Sequence, residues 1–282
     1  ENGDVWDFYA GKRKPEGSFG LGVVLTLSAT GSEMSDSSVI TNDEYGLKRG
    51  INTSFCRPKF AIMNPELTYS VSPYQTSCGT TDIMMHTLER FFHSGCTLEL
   101  TDKLSIALIK EVMECGKKAL EEPDDYDARA NIMWAGSLSH NGLMNVGNDS
   151  RGDWACHQLE HELSGKWDVA HGAGLAAIWA SWAEYVYKTN PERFALLGEG
   201  LFDLERDADI EKEALLTISK MEAYFKSIGM PTSLSELSIK ASEKDIDELA
   251  EKCTFFGKRK IGSFQPLGKE DMIAIYKKAN ER

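Results

Sequence analysis

The chain has 282 residues, 41% hydrophobic and 27% charged, which is ordinary for a soluble globular protein and long enough for one large domain or two moderate ones. Its net charge of -13, from 44 acidic and 31 basic residues, argues against a nucleic-acid backbone or an anionic membrane as partner, since both attract Lys/Arg-rich surfaces. The longest nearly apolar stretch, around Gly172–Trp182, is too short to span a bilayer, and no basic-then-apolar signal segment opens the sequence.

Taken in order, the chain opens Glu1-Asn2-Gly3-Asp4 without a Met and is already in mid-element by Phe8, as expected of a processed or truncated chain. Residues 11–22 are loop-like, and Gly22–Leu27 is a β-branched run that reads as a buried strand closed by a Ser/Thr/Gly turn. Val39–Thr41 and Phe60–Met63 are two further short strands, the second stopped by Asn64-Pro65. After Ser72-Pro73, an N-cap followed by proline at the first helical position, the apolar period becomes 3.6. Helices are predicted at about 73–93, 99–120, 126–146, 151–164, 172–188, 191–202, 211–228, 244–254 and 269–280, most of them separated by turn signals. The fold expected is therefore mainly α: an α/β or β-rich piece over residues 1–72, then one all-helical domain over 73–282, the boundary falling near 66–73. Cys56, Cys78, Cys96, Cys115, Cys156 and Cys253 form no CxxC pair and read as small buried hydrophobes in a reducing cytosol rather than as a disulfide framework.

Of only six histidines, His157, His161 and His171 fall within fifteen residues. His86 follows Asp82 by four, so on a helix the two side chains share a face and can converge on one point. A carboxylate and an imidazole make a plausible half-site for Fe(II) or Zn(II), although an i,i+4 surface ion pair has the same spacing. His157 and His161 also share a face, and His171 stands just past a glycine-bearing turn, so a helix–turn–helix corner can gather three imidazoles around a metal. Capped or solvent-facing histidines are the plainer alternative. His157-x-x-Glu160-His161 also has the spacing of the inverted zinc-protease signature, in which two histidines bind zinc and Glu160 acts as general base.

Four stretches together resemble the iron-containing (group III) alcohol dehydrogenases, in particular their bacterial butanol dehydrogenase and broad-specificity aldehyde reductase branch. They are Thr26-Leu-Ser-Ala-Thr30-Gly-Ser-Glu33, Gly79-Thr-Thr-Asp82-x-x-x-His86-x-x-Glu89, Ala128-Arg-Ala-Asn-Ile-Met-Trp134 and the His157/His161/His171 block. The resemblance runs over nearly the whole chain. It implies an all-helical, dehydroquinate synthase-like metal domain preceded by part of an α/β dinucleotide-binding domain. It implies a metal site of Asp82, His86, His157 and His171, with His161 beside the nicotinamide as a catalytic residue outside the ligand set and Glu160 as an ordinary helix residue. It also implies that Thr26, Thr30 and Lys48 touch the NAD(P) cofactor; from the residues alone, the Thr-rich turn reads equally as a strand end satisfying its own backbone.

The activity implied is hydride transfer between NAD(P) and a primary alcohol or aldehyde such as butanol or butanal, in a cytoplasmic homodimer. The Gly-Gly-Gly-Ser phosphate loop and the first strands of that family do not occur in this sequence, so the 282-residue chain is expected to bind dinucleotide weakly and to show little activity by itself. Asn64-Pro65 departs from the Asp-Pro that relatives usually carry. A zinc peptidase using His157-x-x-Glu160-His161 and a catalytically silent metal-binding fragment are the alternative functions.

Overall fold

The computed structural model describes residues 3–95 and 98–282, so Cys96 and the opening Glu1-Asn2 lie outside the described residues. The first part of the chain carries a short helix α1 (Trp6–Tyr9) and four strands, β1 (Gly22–Val24), β2 (Ser37–Asn42), β3 (Leu47–Asn52) and β4 (Phe60–Ile62). β1 pairs in parallel with β4, Gly22 opposite Phe60, and β2 pairs antiparallel with β3, Ser37 opposite Asn52. The parallel pair needs a crossover, and the β2–β3 hairpin lies within it. β3 has no counterpart among the predicted strands. Its sequence, Leu-Lys-Arg-Gly-Ile-Asn, lacks apolar alternation because Arg49 points inward, where Nη1 meets the Glu162 carboxylate at 2.8 Å.

Helices account for the rest: α2 (Pro73–Phe91), α3 (Glu99–Glu121), α4 (Tyr126–His140), α5 (Ala155–Trp167), α6 (His171–Val186), α7 (Pro191–Phe202), α8 (Ile210–Ser227), α9 (Glu243–Cys253) and α10 (Lys269–Glu281). The Ser72 hydroxyl accepts from the Gln75 amide at 3.3 Å and starts α2 as predicted. Two helix boundaries differ from expectation by four residues or more. α4 stops at His140 because Asn141 turns its side chain back to the Leu143 amide and Gly142 takes a left-handed φ of 96°. α5 begins at Ala155 rather than 151, because Arg151, Gly152 and Trp154 all have left-handed φ, at 60°, 96° and 62°. The Asp153 carboxylate fastens this irregular entry by accepting from the amides of Ala155, Ser263 and Phe264.

The core is organised around α6, which is buried at every position from Gly172 to Ala183. Trp179 and Trp182 fill its centre, and Phe92, Phe194 and Phe264 pack edge-on or tilted around Trp182. A helix apolar on all sides needs neighbours all round, and α2, α5, α8 and α10 supply them. The approach to α2 is close enough to require glycine: a Cβ on Gly172 would stand 2.1 Å from the Cys78 carbonyl oxygen. α2 is buried throughout from Thr76 to Phe91 although half of that stretch is polar or charged. Buried polar side chains need partners: Thr76 meets Arg129 of α4, Thr80 and Thr87 bond carbonyls of α2 itself, and Asp82 and Glu89 face the start of α5.

Candidate metal centre

Asp82 Oδ1 lies 3.5 Å from His86 Nε2, 3.6 Å from His157 Nε2 and 3.6 Å from His171 Nε2. Donor atoms of Asp82, His157 and His171 all fall within 4.8 Å of one another, and the His86 ring stacks on His157 with centroids 4.8 Å apart. α2 presents Asp82 and His86 one turn apart, α5 presents His157, and α6 opens on His171. The glycine contact at Gly172 brings the last of these against α2. Asp82 Oδ1 and His157 Nε2 are buried and without a hydrogen-bond partner among the described residues. Such atoms are costly to leave unsatisfied. Four donors around an ion at about 2.0–2.2 Å in a tetrahedron stand roughly 3.3–3.6 Å apart, and the three distances from Asp82 Oδ1 match that edge. Asp82, His157 and His171 therefore fit a divalent cation, and His86 Nε2 adjoins them at 3.5 Å from Asp82 Oδ1 without joining the group whose donors all lie within 4.8 Å of one another.

Each of two histidines carries a carboxylate on its far side. Glu89 Oε1 lies 3.2 Å from His157 Nδ1 and also accepts from the His157 backbone amide at 2.9 Å. Glu160 Oε2 bonds His171 Nδ1 while its other oxygen accepts from Ser164 Oγ, and Lys48 Nζ lies 3.5 Å from Oε2. These contacts fix which imidazole nitrogen faces Asp82. Burial would lift the Glu160 carboxyl, but His171 and then Lys48 outweigh it and hold the group down at about 2. Burial likewise works against charge on His157, and Glu89 with Asp82 overcomes it, raising that imidazole to about 9. His86 is held well below the ordinary imidazole range by burial and then by His140, His157 and Arg90.

Glu160 is thus no ordinary helix residue. It is fully buried, and both its oxygens are engaged, by His171 with Lys48 on one side and Ser164 on the other. His157 turns to Asp82, whereas the His161 ring lies 5.7 Å from His171. The His157-x-x-Glu160-His161 pattern consequently does not form one catalytic site, and the peptidase reading loses its general base. His161 is half-buried beside the cluster, where burial first of all keeps its imidazole neutral.

Of the three residues assigned to the cofactor, Lys48 joins the site through Glu160. Thr26 and Thr30 are exposed and hold no hydrogen bond to the four metal-facing side chains. Their turn nevertheless lies on α2: a Cβ on Gly79 would stand 2.2 Å from the Ser28 carbonyl oxygen, one turn before Asp82. Glu33, at the end of the same segment, accepts from Ser137 Oγ of α4 at 2.5 Å. The role of Glu89 was open to detection, since it follows Asp82 by seven and shares its helix face. Arg90 follows His86 by four and donates to its carbonyl oxygen at 2.7 Å, a contact that the same spacing rule allows.

Residues 76–280 match the family described as Fe-containing alcohol dehydrogenase, C-terminal, and residues 1–65 match iron-containing alcohol dehydrogenase. NADH-dependent butanol dehydrogenase A of Clostridium acetobutylicum is 37% identical over 99% of this chain and 71% of its own length. The NADPH-dependent aldehyde reductase YqhD of Escherichia coli is 31% identical over 99% of this chain and 71% of its own. Among solved structures, an NADH-dependent butanol dehydrogenase A from Thermotoga maritima superposes with a TM-score of 0.93 at 34% identity, covering 99% of this chain and 70% of that one.

Proposed function

The chain belongs to the iron-containing alcohol dehydrogenase family, and from that premise we infer that Asp82, His86, His157 and His171 hold one Fe(II) or Zn(II) at which a primary alcohol or aldehyde of butanol size reacts. The activity is that of an NAD(P)-dependent alcohol dehydrogenase and aldehyde reductase. The observation that carries the site is the single buried oxygen, Asp82 Oδ1, standing within 3.6 Å of three imidazole nitrogens.

The bound cation supplies Lewis acidity toward the substrate oxygen and the nicotinamide supplies or accepts the hydride. The chain's own residues do the rest. Glu160 bonds the far nitrogen of His171, and Glu89, which accepts from the His157 backbone amide, lies 3.2 Å from the far nitrogen of His157, so both Nε2 atoms stay turned inward. Trp154 and His140 flank His86 on the other side, at ring distances of 6.1 and 4.4 Å. His161, neutral and half-buried next to His171, is placed to take or return the substrate proton. Lys48 tethers the strand hairpin to Glu160 and brings a positive charge to the edge where the cofactor would lie.

We assign residues 1–72 to a nucleotide-binding part that includes Thr26, Thr30 and Lys48, and residues 73–282 to the catalytic part. A homodimer in the cytoplasm is the assembly and compartment this reading favours, and no helix among the described residues is long and apolar enough to cross a membrane. The test is aldehyde-dependent oxidation of millimolar NADH or NADPH by the metal-loaded protein with butanal, abolished by a chelator and restored by Fe(II) or Zn(II). The chain by itself is expected to turn over slowly, and metal binding with no turnover of any short aldehyde even in a version extended upstream by the family's glycine-rich phosphate loop would leave only the silent metal-binding reading.

A further inference from the structure

The residues of the metal centre do not open to solvent equally. Behind His86 stand the His140 and Trp154 rings, and behind His157 stands Glu89. The side chains of Asp82, His86 and His157 are no more than 8% exposed, whereas that of His171 is 24% exposed. A cation arriving from solvent therefore meets His171 first.

A second set of donors surrounds that histidine. Glu160, His161 and His171 each offer one donor atom, and the three atoms fall within 4.8 Å of one another. Glu160 faces Nδ1 of His171, the nitrogen turned away from Asp82, and the half-buried His161 ring lies 5.7 Å from the His171 ring. Two imidazoles and a carboxylate are a zinc-type donor set that leaves a fourth position for water. One group stands in the way: Lys48 Nζ lies 3.5 Å from Glu160 Oε2, on a side chain that is 17% exposed. A buried carboxylate requires a counter-charge, and an ammonium on a flexible four-carbon stem can supply it and still swing aside for a divalent ion.

Resting on the ligand reading of the inner centre, we propose that Glu160, His161 and His171 form an outer divalent-cation site that captures the metal and passes it to Asp82, His86 and His157. His171 is the shared ligand: Nδ1 holds the cation outside and Nε2 holds it inside. On hand-over Nδ1 takes up one proton and Nε2 releases one, both through water, so the imidazole stays neutral. The Nδ1 proton and Lys48 then return to Glu160. Because Nδ1 carries that proton once the metal is inside, the two sites fill in turn and the chain keeps one metal. Such a site changes the rates of loading and release and leaves the inner affinity as it was.

The test uses Zn(II), with a chromophoric chelator reporting free metal. Asp82→Ala/His157→Ala removes two inner ligands. This variant binds one Zn(II) per chain more weakly than the parent, and adding His161→Ala weakens it further by about tenfold or more, the scale of losing even an indirect partner of a metal. No binding by a double variant whose circular dichroism matches the parent's, or binding that His161→Ala leaves unchanged, overturns the proposal. Parental affinity in the double variant overturns instead the inner ligand set on which the proposal stands. Stopped-flow mixing of the chelator-treated protein with Zn(II) supplies a reading that needs no inner variant. His161→Ala alone slows loading and release by a like factor of about ten with affinity within twofold of the parent, and Lys48→Met speeds loading. Unchanged rates in His161→Ala overturn the proposal, and so does slower loading with a matching loss of affinity, which would make His161 an inner ligand.

Discussion

Removing the Glu160 carboxylate tests whether the groups behind the ligands hold the metal centre together. In Glu160→Gln the partner of His171 Nδ1 keeps its shape and loses its charge, and Lys48 is left opposite a neutral amide. With metal bound, losing such a partner typically costs 10–100-fold in affinity, so Glu160→Gln is expected near the lower figure and Glu160→Ala near the upper. A second effect appears without metal. The Glu160 carboxyl is depressed from an ordinary 4.5 to about 2 in the folded chain. A depressed acid stabilises the fold above its unfolded pKa and loses that contribution as pH falls through the folded one. The window is therefore about pH 4.5 down to about 2, and the difference is worth about 3 kcal/mol for a fully buried group. Urea unfolding of the chelator-treated protein at pH 7, 4.5 and 3 measures it, and competition with a chromophoric chelator measures metal affinity. Glu160→Gln is expected to be less stable at pH 7 and to lose less on acidification than the parent. A variant that keeps parental metal affinity within twofold and the same pH dependence would refute the argument.

Three other outcomes are expected. The His157→Ala/His171→Ala double variant should retain no stoichiometric metal after dialysis, because Asp82 and His86 alone offer half a site; full occupancy by elemental analysis would rule out the ligand set. His161→Ala should keep its metal and lose roughly 10²–10⁴-fold in turnover, the usual scale for a placed proton-transfer group, and loss of metal would instead make His161 a ligand. The 282-residue chain should bind NADH and NADPH with millimolar rather than micromolar Kd, since its sequence has no glycine-rich turn opening a helix to receive the pyrophosphate; micromolar binding by calorimetry would show that other groups take that role.

How much of this was legible in the sequence depends on the kind of signal. Helices announced by period and cap, such as α2 from Ser72-Pro73 and α7 from Pro191, lie within two residues of their predicted bounds. Asp82 and His86 were legible as a pair because four residues apart on α2 is one face, and the two stand 3.5 Å apart, whereas the choice of His157 and His171 over His161 as their partners came from the family resemblance. What failed was wherever the backbone left the common basins or a charge went inward. The left-handed run at Arg151, Gly152 and Trp154 delays α5 by a turn, and no propensity scale assigns positive φ to Arg or Trp. β3 was hidden because its inward residue is Arg49.

These failures are not scattered at random over the chain. Trp154, in its uncommon conformation, flanks His86 and His157 and supports Arg90. Arg49 pairs with Glu162, next to His161 on α5, and its strand carries Lys48 to Glu160. Local preference is overridden where a site requires a particular side chain in a particular direction, and packing elsewhere must hold it there. Asp153 does so at the entry of α5, accepting three backbone amides from two segments of the chain. The Gly172 contact does so at the start of α6. The residues that sequence rules misread are thus the ones that set Trp154 beside His86 and His157 and bring Lys48 to Glu160.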